Sequence, residues 1–220
     1  MRKIAILYLL GALLVSGCVR DEFDTTRVVE GAAARISLKI TLPVMGGGTD
    51  TRAVSADVEK RLDNLFVLVF DGGGQIVTRH RYTAQTGASL SSLLIDTRSG
   101  KGHTLCFVAN VKDGMDSQLT ALTSYDALKE LLVTATELNL GQSTDVPLIM
   151  TAIMENVNVQ EGANSISNPV QLQFLAAKVT LTLVDNTPGT QEVTIIGWDV
   201  QDAPTRSYLF PDDSKDANPN

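Results

Sequence analysis

The chain has 220 residues, 44% of them hydrophobic, and a formal charge of −7 from 18 Lys+Arg against 25 Asp+Glu. That length suits one or two domains with a packed core and excludes general disorder. An acidic chain without a basic stripe repels phosphate backbones, so nucleic acid is not an expected partner.

Arg2 and Lys3 precede an apolar run from Ile4 to Val15, too short to span a bilayer as a stable helix, and residues 1–17 are read as an export signal. Its end, Val15, Ser16, Gly17 and Cys18, resembles the lipobox of bacterial lipoproteins. The resemblance makes Cys18 the expected lipid attachment site, where acyl chains anchor by additive burial of methylenes. Residues 18–33 form a polar tether with Asp21, Glu22 and Asp24 close behind the cysteine. This acidic cluster resembles the surface-export signals of Bacteroidetes-type lipoproteins, with a plain solvated linker as the competing reading.

Residues 34–53, ARISLKITLPVMGGGTDTRA, combine a strand, a glycine hinge and a lone basic residue. Ile36, Leu38, Ile40 and Leu42 alternate with Ser37, Lys39 and Thr41, which places the four branched side chains on one face of an extended segment. Pro43 removes a donor as the strand ends, and Gly46, Gly47, Gly48 and Asp50 predict a solvated loop that presents Arg52 and Ala53 to a protease.

Further on, LFVLVF at 65–70 is apolar on both faces, as in a strand covered on both sides. Asp71 and Gly72 to Gly74 turn it into a strand from Gln75 to Tyr82, predicting a hairpin with a loose loop. The glycines lack a following Gly-Lys-Ser/Thr, so they are turn residues and not a phosphate cradle. Arg79 and Arg81 share a face of that strand, with His80 on the other, and read as a solvated edge without a ligand. Leu93 to Asp96 and His103 to Asn110 are further strands, and Cys106 within the latter is read as a small buried hydrophobe. Ser124 caps an expected helix from Tyr125 to Thr134, striped by Leu128, Leu131 and Leu132. Val146 to Ile153 and Val157 to Val159 read as a pair of strands, with Pro147 at an edge or a strand start. Asn168 and Pro169 then punctuate the chain ahead of Val170 to Val184 and a Trp198-bearing strand from Glu192 to Val200, where a second unit is expected to open.

The residues for catalysis are missing from this pattern. His80 and His103 lie on separate strands without Cys or carboxylates at metal-ligand spacing, and there is no G-x-S-x-G elbow or H-E-x-x-H. Asp212 and Asp213 sit in a polar tail that offers no cleft to raise a pKa. Neither an enzyme nor a cofactor or metal is expected. The fold class that emerges is all-β: an antiparallel β-sandwich at 34–167 with one short helix, followed by an incomplete second β-domain at 168–220.

The lipobox, VVEGAAARISLKI, the TRA loop, DNLFVLVFDGGG, HTLCFVAN and VPLIMTAI occur in an order and at intervals similar to the type V pilus subunits, or fimbrillins, of Bacteroidetes-type bacteria. The resemblance spans residues 15 to about 185. It implies transthyretin-like β-sandwich domains, export as a lipoprotein through Cys18, and cleavage by an arginine-specific surface protease between Arg52 and Ala53. It further implies loss of the first strand from a groove that a strand of the next subunit then fills, in a fimbrium at the cell surface and outer membrane. The alternation agrees: four core-facing residues would leave with the strand, at about 1.5–3 kcal/mol each for full burial, and the same alternation dictates the register of a replacement. Of the rival arginines, Arg27 and Arg35 precede or begin the strand, and Arg61 abuts a charged segment.

The second domain of that family is longer than the segment from Asn168 to Asn220, so the chain is expected to be a fragment, the alternative being a subunit that accepts a donor strand without offering one. The leading expectation is a structural stalk subunit. Its alternatives are an anchor or accessory subunit that stays lipidated and uncleaved, and a monomeric surface lipoprotein that binds glycans or peptides.

Overall fold

A computed structural model describes residues 30–43, 58, 61–83, 92–138, 146–176, 196, 197, 199, 201 and 205–211. Its centre is a five-stranded antiparallel sheet made of β3 (Asn64–Phe70), β4 (Ile76–Thr83), β6 (Gly100–Ala109), β8 (Met150–Val159) and β11 (Gln173–Phe174), in the order β11-β8-β6-β3-β4. Over one face lies a three-stranded sheet, β5-β1-β9, of β1 (Ala33–Leu38), β5 (Leu93–Arg98) and β9 (Gly162–Ser165). After Lys39, β2 (Ile40–Thr41) carries the first strand onward and pairs with β10 (Val170–Gln171). The other face is covered by α1 (Asp113–Ala121), α2 (Tyr125–Lys129) and a small ladder of β7 (Leu132–Thr134) with β12 (Arg206–Tyr208).

Two cores follow from the period of two in β3 and β6. Leu65, Val67, Val69, Leu105 and Phe107 point into the sandwich, where they meet Ile36, Ile40, Ile95 and Leu172. Phe66, Leu68, Phe70, Cys106 and Val108 point the opposite way, onto Met115, Leu119, Leu128, Leu209 and Phe210. The continuous apolar run of β3 is therefore the run of a strand buried on both faces, as its sequence predicts.

The β3–β4 hairpin is tighter than its glycines suggest. Asp71 Oδ1 accepts from the Gly73 and Gln75 amides, both at 2.9 Å, in an Asx-type turn. Gly72 allows a close approach, since a Cβ there would lie 2.8 Å from the Lys101 carbonyl oxygen.

Several elements differ from expectation. The helix after Ser124 is present, with Ser124 Oγ accepting from the Ala127 amide at 3.2 Å, but it ends at Lys129. Leu132–Thr134 leaves the helical pattern because it pairs with β12. A second helix, α1, precedes it. Met115 and Leu119 are its buried positions at i and i+4, with Leu122 buried at its C-cap, a pattern that Asp113, Gly114 and Asp116 obscure as weak helix formers. The two strands expected over 146–159 are one, β8. It is interrupted at Asn156, whose φ of 58° accompanies a register shift between Leu105↔Met154 and His103↔Val157. Pro147 precedes that strand.

Past residue 167, Val170 and Leu172 are buried in the sandwich core, and Leu209 and Phe210 in the second core. The cores thus continue through part of the segment where a second unit is expected to open. The Glu192–Val200 strand falls among described residues only at Ile196, Gly197 and Asp199, which are exposed and outside any strand; 177–195 lie outside the described residues.

Candidate functional site

The first strand occupies the middle of its sheet. β1 runs antiparallel to β5, with Ile36 opposite Ile95 and Leu38 opposite Leu93, and parallel to β9, with Ile36 opposite Asn164. The parallel edge continues beyond β9: the amides of Ile166, Val170 and Leu172 donate to the carbonyls of Ser37, Lys39 and Thr41 at 2.9, 2.8 and 3.0 Å. Backbone groups of the first strand are thus paired on both sides along β1, from Ala34 to Ser37, and on the parallel side alone from Lys39 to Thr41.

Below it, Ile36, Leu38 and Ile40 are buried, at 0%, 3% and 0% exposure, and Ala34 extends the row. Leu42, predicted as the fourth member, lies past the end of β2 and is only partly buried, packed against the same core. Cys18, Arg52 and Ala53 lie outside the described residues.

The two walls are attached to the main sheet without help from β1. On the β5 side, His80 Nε2 lies 2.7 Å from the Asp96 carbonyl oxygen, and Tyr82 donates its hydroxyl proton to the Leu94 carbonyl oxygen at 2.6 Å. Burial, with the Asp96 charge adding to it, pushes the Tyr82 hydroxyl up to about 12, so it stays a donor at any physiological pH. On the other side β9 follows β8 through a turn fastened by Asn164, whose Oδ1 accepts from the Gln160 amide and whose Nδ2 donates to the Gln160 carbonyl, both at 2.8 Å. β11, just after β10, pairs with β8. Taking β1 and β2 away would leave two backbone edges over a floor that includes Leu65, Val67, Leu105 and Phe107.

At its start the strand is held by exposed and backbone contacts. The Gly31 amide donates to the Ser99 carbonyl, the Ser99 amide to the Ala32 carbonyl, both at 2.8 Å, and the Ala32 amide to Ser99 Oγ at 2.9 Å. Arg35 Nε pairs with Asp96 Oδ1 at 2.5 Å, and this hydrogen bond holds the Asp96 carboxyl below the usual carboxylate range. Both side chains are mostly exposed, so the pair adds little to stability.

Among the described residues no three His, Cys, Asp or Glu side chains converge as metal ligands. His103 is buried, its Nδ1 without a partner, and burial lowers its pKa. Cys106 is a free, buried thiol whose pKa is raised by burial, with Glu155 adding to it.

Sequence reasoning missed the parallel edge, because Gly162–Ser165 (GANS) has no apolar alternation and its role rests on backbone bonds. It also missed an amide clasp. Asn110, at φ 62°, donates to the Leu148 and Arg61 carbonyls at 2.8 and 3.1 Å and accepts from the Asp63 amide at 2.9 Å. Asn64 pairs both ways with Val111.

Residues 34–200 match the family model described as major fimbrial subunit protein (FimA). A curated relative from Parabacteroides distasonis, named as a candidate fimbrium tip subunit, Fim1C, is 27% identical over 96% of this chain, which spans 60% of the relative's length. Among solved structures, the tip fimbrial protein Mfa3 of Porphyromonas gingivalis is 18% identical, with a TM-score of 0.46 over 65% of this chain and 48% of that one. The fimbrilin FimA of the same species is 16% identical, with a TM-score of 0.47 over 68% and 41%.

Proposed function

The chain belongs to the major fimbrial subunit (FimA) family, and on that premise we propose that it is a structural subunit of a cell-surface fimbria, exported as a lipoprotein and assembled by donor-strand exchange. In this reading, proteolysis after Arg52 releases the first strand, and an extended segment of another subunit takes its place. The observation that carries it is the position of the first strand: β1 is central in its sheet and β2 continues it along β10, with Ala34, Ile36, Leu38 and Ile40 seated in the core, between walls that have their own ties to β4 and β8. Three fully buried aliphatic side chains at about 1.5–3 kcal/mol each give a strand that does not leave while covalently tethered, and a groove that demands an apolar replacement once it has gone.

The choice of Arg52 is supported by the state of its rivals. Arg35 lies inside β1, with its backbone in the ladders and its side chain on Asp96. Arg61 is bound to Asp63 through Nε and Nη2 at 2.7 and 3.1 Å. Cys18, with its lipid, would hold the precursor at the outer membrane until the strand is cut. The test is mass spectrometry of the surface-exposed gene product. A mature N-terminus at Ala53, abolished together with polymerisation in Arg52→Ala, supports the reading; an Arg52→Ala protein that polymerises as well as its parent overturns it.

A second reading, a subunit placed at the fimbrial tip, is favoured by the name of the Parabacteroides relative. Immunogold labelling distinguishes the two: gold along the whole fibre indicates a stalk subunit, and gold confined to fibre ends indicates a tip subunit.

A further inference from the structure

On the face of the main sheet away from β1, the edge strand β4 and the helix α1 flank an open, solvent-facing cavity of about 730 Å³, within the range of ligand sites in general. Arg79 and Arg81, two residues apart on β4, line one side; Asp116, Ser117 and Thr120 of α1 line the other, with Phe66 between them. Arg81 Nε lies 3.3 Å from Asp116 Oδ2, and its guanidinium carbon is 5.7 Å from the Phe66 ring centroid. Thr120 Oγ1 donates to the Asp116 carbonyl at 2.8 Å, leaving its lone pairs as acceptors. Arg79 donates through Nη2 to the Leu122 carbonyl and has no carboxylate partner among the described residues. In a chain of net charge −7, this cavity holds two guanidinium groups against one carboxylate.

We propose that this cavity binds a carboxylated sugar of the uronic or sialic type, with its carboxylate on Arg79 and its hydroxyls on Ser117, Thr120 and Asp116. A guanidinium has five donors in a planar fork that suits a carboxylate, and Arg79 spends one of them on Leu122. The hydroxyls of Ser117 and Thr120 and the Asp116 carboxylate are the groups that exchange hydrogen bonds with a sugar's hydroxyls. Asp116 also decides against an acidic peptide: a single excess positive charge matches one ligand carboxylate, and further carboxylates would be repelled. The cavity lies on the opposite side of the main sheet from β1, and no residue of the first strand lines it.

The test is calorimetric titration of the purified full-length chain with sialyllactose and with a galacturonic acid disaccharide, using lactose and a short polyglutamate peptide as controls. Binding of either acidic sugar, weakened by added salt and absent for lactose and polyglutamate, is the expected result. Arg79→Gln should weaken it about tenfold or more, and Arg79→Lys less, because the charge-assisted contact survives while the fork is lost. Ser117→Trp, at an exposed helix position, keeps both arginines but fills the cavity, and should also abolish binding. Each variant's melting temperature reports whether it folds. Lactose binding as tightly, polyglutamate binding as tightly, no acidic sugar binding at millimolar concentration, or full affinity in folded Arg79→Gln or Ser117→Trp would each overturn the proposal.

Discussion

Ile36 and Ile95 stand opposite each other in the antiparallel β1–β5 ladder, both at 0% exposure, so the first strand is fastened at its midpoint by an apolar pair within the sandwich core. Lys39, in the same segment, is exposed. Ile36→Ala should therefore destabilise the chain by about 2–4 kcal/mol, and Lys39→Ala by less than about 0.5 kcal/mol, in chemical denaturation. Equal effects would mean that the strand is not seated as described.

The wall formed by β5 depends on Tyr82 and His80 reaching across to its carbonyls. Tyr82→Phe removes the donor to Leu94 and should cost about 1 kcal/mol. Hydrogen exchange should localise the effect, with faster exchange at β5 amides and unchanged protection in β6.

Asn110 satisfies three backbone groups from a left-handed conformation that asparagine tolerates better than most residues. Asn110→Ala strands the buried Leu148 carbonyl and the Asp63 amide, and it places alanine at positive φ. The expected loss is about 2–4 kcal/mol in denaturant unfolding. Asn110→Asp, which keeps the acceptor for Asp63 but removes both donors, should still destabilise.

His103 has a folded pKa below its ordinary value of 6.5, chiefly because burial disfavours the imidazolium. The charges of Glu30 and Asp71 and a Gly100 backbone contact oppose that shift. The unfolded chain takes up this proton at a higher pH than the folded one, so stability is full above about pH 6.5 and falls as pH drops from there towards the folded pKa. Thermal melts between about pH 7 and about pH 5 should show a shallower slope for His103→Gln than for the parent, whatever the variant's stability at neutral pH.

Cys106 is buried between β3 and β8 in the second core, and burial raises its thiol pKa. Little thiolate forms at about pH 8, so a thiol reagent should label it slowly in the folded chain and fully in denaturant. Rapid labelling under native conditions would show that the α1 and α2 layer opens easily.

The alternation of Ile36, Leu38 and Ile40 and the unbroken apolar run of Leu65 to Phe70 are readable because burial imposes a period on side chains. Ser124 as a cap and Asp71 as a turn residue are readable because their side chains bond to backbone a few residues away. The end of α2 at Lys129 was not readable, since Leu131 and Leu132 continue a helical stripe until β12 claims residues 132–134. Arg79 and Arg81 read as a solvated edge because the helix that makes a cavity beside them was hidden among Asp113, Gly114 and Asp116.

By itself the sequence determined that the segment after Ala33 is a strand with one apolar face, because alternation is a local property of consecutive residues. Only the tertiary structure decided that this strand is central. Its parallel neighbours, Gly162–Ser165 and the amides of Ile166, Val170 and Leu172, are recruited through backbone groups that every residue but proline carries, and such pairing leaves no pattern in the side chains.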